Sequence, residues 1–95
     1  MNTQKTGPVA AEMLARLNSA LSPTSVELID DSEQHRAHGG YNPQGESHFS
    51  LRIESHAFAG KSRVERQRMI YAALGPLMES RVHALSIRAT APGER

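Results

Sequence analysis

With 95 residues, 38% of them hydrophobic, the chain is sized for one domain around one modest core. It has no cysteine, which excludes disulfides, a thiol nucleophile and a self-contained thiolate metal site; five histidines leave an imidazole site open. A net charge of +1 makes any nucleic-acid signal a matter of local clustering rather than of overall charge.

Residues 1–7 read as a flexible N-terminal tail. This polar stretch lacks the apolar middle of a secretory signal and is too short and Arg-poor for a transit peptide. No apolar run approaches the roughly 20 residues of a bilayer span. A soluble, cytoplasmic protein with no membrane partner is expected.

One domain is expected over residues 8–92, followed by a short tail at 93–95. Pro8 suits the first turn of a helix, where its missing N–H is not needed. Val9, Met13, Leu14, Leu17 and Leu21 follow at helical spacing, and Ser22-Pro23 ends the segment. Val26 to Asp30 reads as a first strand. Asp31 to Gly45 is aperiodic and rich in Asp, Ser, Gly, Asn and Pro, so it reads as a long loop. Such loops are uncommon in compact domains and often functional.

His48 to Glu54 carries the clearest strand pattern: Phe49, Leu51 and Ile53 alternate with polar residues. Ser62 and Glu65 have the spacing of a capping box that opens a second helix. Its apolar stripe is Ile70, Ala73, Leu74, Leu77 and Met78, and Gly75-Pro76 must kink or end it. Val82 to Ala89 reads as a third strand with His83, Leu85 and Ile87 on one face. The order α-β-β-α-β predicts an α+β domain with helices packed on one face of a small sheet.

Two groups of residues bear on function. Lys61, Arg63, Arg66 and Arg68 crowd the start of the second helix, where cations oppose the helix dipole. An anionic partner such as phosphate would explain them. The alternative is a solvated face, with Glu65 offsetting part of the charge and no aromatic platform for bases.

Among the histidines, His83 at the start of the third strand reads either as a core residue or as a ligand. His48 reads as structural and His56 as solvated. His35 and His38 form a His-x-x-His pair in the polar loop, able to clamp a metal only with further ligands from elsewhere. That requirement points to a site shared between two proteins. A nucleophile constellation of Ser32, His35 and Asp31 lacks any orienting motif, so no enzyme is expected.

The segments Asp30-Asp31-Ser32, Glu46-Ser47-His48-Phe49, Phe58-Ala59-Gly60-Lys61-Ser62, Glu65-Arg66-Gln67-Arg68-Met69 and Val82-His83-Ala84-Leu85 together resemble the BolA family. The resemblance runs from about Met13 to Pro92. It implies a type II KH-like fold and a heterodimer with a monothiol glutaredoxin that shares a [2Fe–2S] cluster, in cluster maturation, trafficking or iron regulation.

In that complex the glutaredoxin and its glutathione supply two thiolates. The BolA-like chain supplies a strand histidine, which His83 matches, and a His or Cys from the loop after the first strand. With no cysteine, this chain resembles the histidine-loop subtype, with His35 or His38 as the ligand. No cofactor is expected in the isolated chain. Imidazole ligation raises a cluster's potential relative to all-thiolate ligation.

The resemblance also implies a DNA-binding transcriptional regulator of stress response and morphology, acting through the helix-turn-helix-like face at Gly60 to Met69. There Gln67 stands where family members commonly carry His. Both flanking arginines remain, so phosphate contact is retained, but glutamine cannot titrate. No Gly-x-x-Gly loop of the RNA-binding KH type is present.

Overall fold

Three strands and two principal helices share one apolar core in the computed structural model, which describes residues 7–31, 48–82 and 84–94. Helix α1 (Pro8–Leu21) starts on its proline and buries Val9, Ala10, Met13, Leu17 and Leu21 along one stripe. Ser22 ends it in the left-handed region at φ 44°, its N–H bonding the Asn18 carbonyl, and Pro23 blocks continuation.

Strands β1 (Ser25–Asp30), β2 (His48–Glu54) and β3 (Ala84–Thr90) form one mixed sheet in the order β1-β2-β3. β1 runs antiparallel to β2, and β3 runs parallel to it. A parallel neighbour needs a crossover, which α2 (Arg63–Leu74) and the short α3 (Leu77–Ser80) supply.

The register explains the packing. Leu28, Leu51 and Ile87 make one row across the sheet, and Val26, Ile53 and Ala89 make the next. These rows face Met13, Leu17, Phe58, Ile70 and Leu74. The opposite face carries exposed Glu27, Arg52, Ser86 and Arg88. The expected α+β architecture, with a small sheet and helices in the order read from the sequence, is what the structure has. Among the described residues no helix is long and apolar enough to cross a membrane.

The structure departs from the expectation after α3 and after β2. The Val82 N–H bonds the Leu77 carbonyl and closes the turn after α3, so Val82 is buried without joining the sheet and β3 starts at Ala84. The connection after β2 also contains a 3-10 turn, His56–Phe58, which drives Phe58 into the core.

That turn is organised by Ser55, 1% exposed. Its hydroxyl donates to the Leu21 carbonyl at 2.6 Å and accepts from the Ala57 N–H at 3.1 Å. One hydroxyl thus joins the end of α1, the end of β2 and the 3-10 turn. Ser55→Ala leaves a buried acceptor and a donor without this partner, at an expected cost of about 1–3 kcal/mol. Urea unfolding of the variant checks this; an unchanged midpoint would show that the bonds contribute nothing net.

The capping box at α2 forms as the sequence predicts. The Ser62 hydroxyl accepts from the Glu65 N–H at 3.1 Å, and the Glu65 carboxylate accepts from the Ser62 N–H at 2.7 Å. These bonds, aided by Lys61 and Arg68, hold the Glu65 carboxyl below the usual carboxylate range. Helix α2 ends at Leu74, with Gly75 at φ 58° and Pro76 turning the chain into α3.

Candidate functional site

The sheet has two ends of different character. At one end, β1 finishes, β2 starts and β3 starts. The Asp31 N–H bonds the His48 carbonyl at 2.7 Å, and His48 pairs in register with Ala84. The Ser50 hydroxyl donates to the Asp31 carboxylate, tying down the chain just before residue 32. Asp31 and Ala84 are therefore two strand spacings apart, about 10 Å.

His35 and His38 fall in the segment that joins Asp31 to His48, and His83 is the residue preceding Ala84. All three lie outside the described residues. His48 is half-buried at this sheet end and His56 is exposed. No group of three metal-ligating side chains occurs among the described residues.

The basic cluster lies along the outer side of β3. Lys61, Arg63, Arg66 and Gln67 line a groove of about 390 Å³ with Ile87, Arg88, Ala89, Thr90 and Glu94. Arg68, the fourth cation of the cluster in the sequence, is exposed on α2 and is not among the lining residues. Arg88, which the sequence reading does not single out, takes its place.

Arg66 differs from its neighbours. Its guanidinium makes a two-pronged ion pair with the Glu94 carboxylate, at 2.7 and 2.8 Å. It also donates to the carbonyls of Lys61 and Ala89, both at 3.0 Å. Only 13% of its side chain is exposed. The anion expected opposite this cluster is thus supplied for Arg66 by the chain itself, from a residue the sequence reading places in a tail.

Glu94 is held in turn. Arg66 first, and the Ala91 N–H second, lower its carboxyl from the ordinary value of 4.5 to about 2. A depressed carboxylate pKa adds stability above the unfolded-state value, and that contribution fades as pH falls through the folded-state value. Glu94→Gln should therefore lower stability at neutral pH. The gap to the parent should close as pH falls from 4.5 toward about 2. Denaturant titrations across that range check this, and a gap independent of pH would contradict it. Solvent screening keeps the effect modest.

The missed pair had a faint signal in the sequence, a cation placed against a helix dipole. Its partner lies 28 residues away and follows a strand whose path only the fold reveals.

Comparison with known proteins gives this architecture a family. The model for "BolA-like protein" matches residues 17–94. Human BolA-like protein 1 is 38% identical over 88 residues, covering 93% of this chain and 61% of the relative. SufE-like protein 1 of Arabidopsis thaliana, chloroplastic/mitochondrial, is 46% identical over 83 residues, covering 83% of this chain and 22% of the relative. The chain thus spans less than two thirds of the length of each of these two relatives.

The DNA-binding transcriptional regulator BolA of Escherichia coli is 35% identical over 72 residues, 76% of this chain and 65% of that protein. Among solved structures, the BolA domain of SufE1 from Arabidopsis thaliana superposes with a TM-score of 0.84 at 42% identity, covering 96% of this chain and all of that one. On sequence and on structure, the chain belongs to the BolA-like family.

Proposed function

We propose that the chain is an adaptor rather than an enzyme, pairing with a monothiol glutaredoxin to share a [2Fe–2S] cluster. The observation that carries this reading is the strand register. The residues flanking segment 32–47, Asp31 and His48, stand at the same sheet end as Ala84, next in sequence to His83. A loop histidine, His35 or His38, and His83 are thus tethered to neighbouring strands.

The donor set fits the cluster. The chain offers imidazoles and no thiolate, so it complements a partner that brings thiolates from its own cysteine and glutathione. When bound, the cluster supplies a transferable iron–sulfur unit whose potential imidazole ligation raises. The histidines must be neutral to ligate, so the complex should weaken in acid. Size-exclusion chromatography with a monothiol glutaredoxin, glutathione, iron and sulfide tests the pairing. The expected result is a one-to-one complex that carries iron and sulfide; separate elution of the two proteins would contradict it.

A second reading, DNA binding by a KH-like or helix-turn-helix-like face, is favoured by the groove along β3 and by the name of the Escherichia coli relative. Because Arg66 is engaged by Glu94, the phosphate contacts fall to Lys61, Arg63 and Arg88, with Arg68 outside the groove. Lys61→Ala and Arg63→Ala should each flatten the salt dependence of DNA binding by about one ion, with folding intact. Arg66→Ala should instead lower thermal stability. A DNA gel-shift series over salt concentration, paired with melting curves, separates the two outcomes.

A further inference from the structure

Among the described residues β3 is an edge strand, and only part of its outer edge is closed. The Thr90 carbonyl accepts from the Ser55 N–H, so it faces β2. The Ala89 carbonyl accepts from Arg66, so it faces away. Peptide groups alternate along a strand, hence those of Leu85, Ile87 and Ala89 all point outward.

At the C-terminal end this edge is sealed. Arg66 takes the Ala89 carbonyl and Glu94 takes the Ala91 N–H. Among the described residues, no backbone group of another element bonds the outward groups of Leu85 or Ile87. The groove is lined by residues of both strand faces, Ile87 and Ala89 from one and Arg88 and Thr90 from the other, so it opens at the edge itself. Unpaired edge groups of this kind are templates for a further strand.

We infer that this edge docks an extended acidic segment of a partner polypeptide by strand addition. This inference stands on the β3 edge and does not depend on the cluster reading. Lys61, Arg63 and Arg88 line the groove beside Ile87, while Arg66 and Glu94 cancel each other. An acidic strand gains main-chain bonds from Leu85 and Ile87 and charge complementarity from the rim.

A peptide fits this edge better than a nucleic acid, because the edge alternates donors and acceptors and no aromatic residue lines the groove for base stacking. A second copy pairing β3 to β3 would bring the two sets of cations together.

The test is a titration of the full isotope-labelled chain with a capped peptide of alternating glutamate and valine, followed by amide NMR. The largest shifts are expected at Ile87 and Ala89, with slowed amide exchange at Leu85 and Ile87. The double variant Lys61→Glu with Arg63→Glu should weaken binding roughly tenfold. A peptide N-methylated at alternate residues should not bind. Raising salt on the unmodified protein gives a check independent of how the double variant folds.

Several results would overturn the inference. Shifts confined to Lys61 and Arg63, or equal binding of the N-methylated peptide, would show charge attraction without strand addition. No binding would remove the site. Duplex DNA moving the Ile87 and Ala89 amides without competition from the peptide would make the groove a nucleic-acid site. Concentration-dependent self-association that moves the same amides would assign the edge to a second copy, for instance through β1, which carries Glu27 and Asp30.

Discussion

Phe58→Ala is expected to destabilise the domain by about 3–5 kcal/mol, enough to unfold much of it near physiological temperature. Phe58 is fully buried and comes from a three-residue 3-10 turn rather than from a long element. Its neighbours in the core belong to α1, α2 and the sheet, so no one element can close over the cavity. Phe58→Leu keeps most of the volume and should cost much less. Thermal melts of both variants check this. Similar small losses in the two would mean that the turn relaxes and fills the space.

His83→Ala should behave in the opposite way. It is expected to leave the melting temperature of the free chain close to the parent's while removing iron and sulfide from the glutaredoxin complex. The alternative given by the sequence is a hydrogen-bonded core histidine, whose removal would cost about 1–3 kcal/mol and lower the melting temperature of the free chain. Val82 on one side is buried and Ala84 on the other is exposed. Melting the free variant and assaying iron in the purified mixture distinguishes a ligand from a packing residue. The same mixture, titrated to acid, should lose its cluster as the imidazoles protonate.

Features set by local periodicity were readable from the residues. The alternation of Phe49, Leu51 and Ile53 gives β2 its bounds and its buried face. The stripe from Val9 to Leu21 gives α1, and Ser62 with Glu65 gives the start of α2. Val82 reads as a strand residue in the sequence because an apolar β-branched residue looks the same whether it pairs or closes a turn. Its N–H bond to Leu77 decides the matter and leaves no trace in composition.

The groove was half readable. Clustering of Lys61, Arg63 and Arg66 is visible in the chain, but Arg88 joins them through the crossover and Arg68 leaves them through the turn of the helix. The neutralisation of Arg66 by Glu94 depends on the path of β3 and on the turn after it. The meeting of Asp31, His48 and Ala84 at one sheet end rests on the register of three strands, which no spacing between His35, His38 and His83 conveys.

The most direct measurement is the visible circular dichroism of the chain mixed with a monothiol glutaredoxin, glutathione, iron and sulfide. Cluster sharing predicts a spectrum distinct from that of the glutaredoxin and cluster alone, lost with His83→Ala and with the double variant His35→Ala and His38→Ala. The two single loop variants then identify the ligand. A spectrum identical to that of the glutaredoxin and cluster alone, unchanged by any histidine substitution, would contradict the adaptor reading and leave the basic groove along β3 as the functional face.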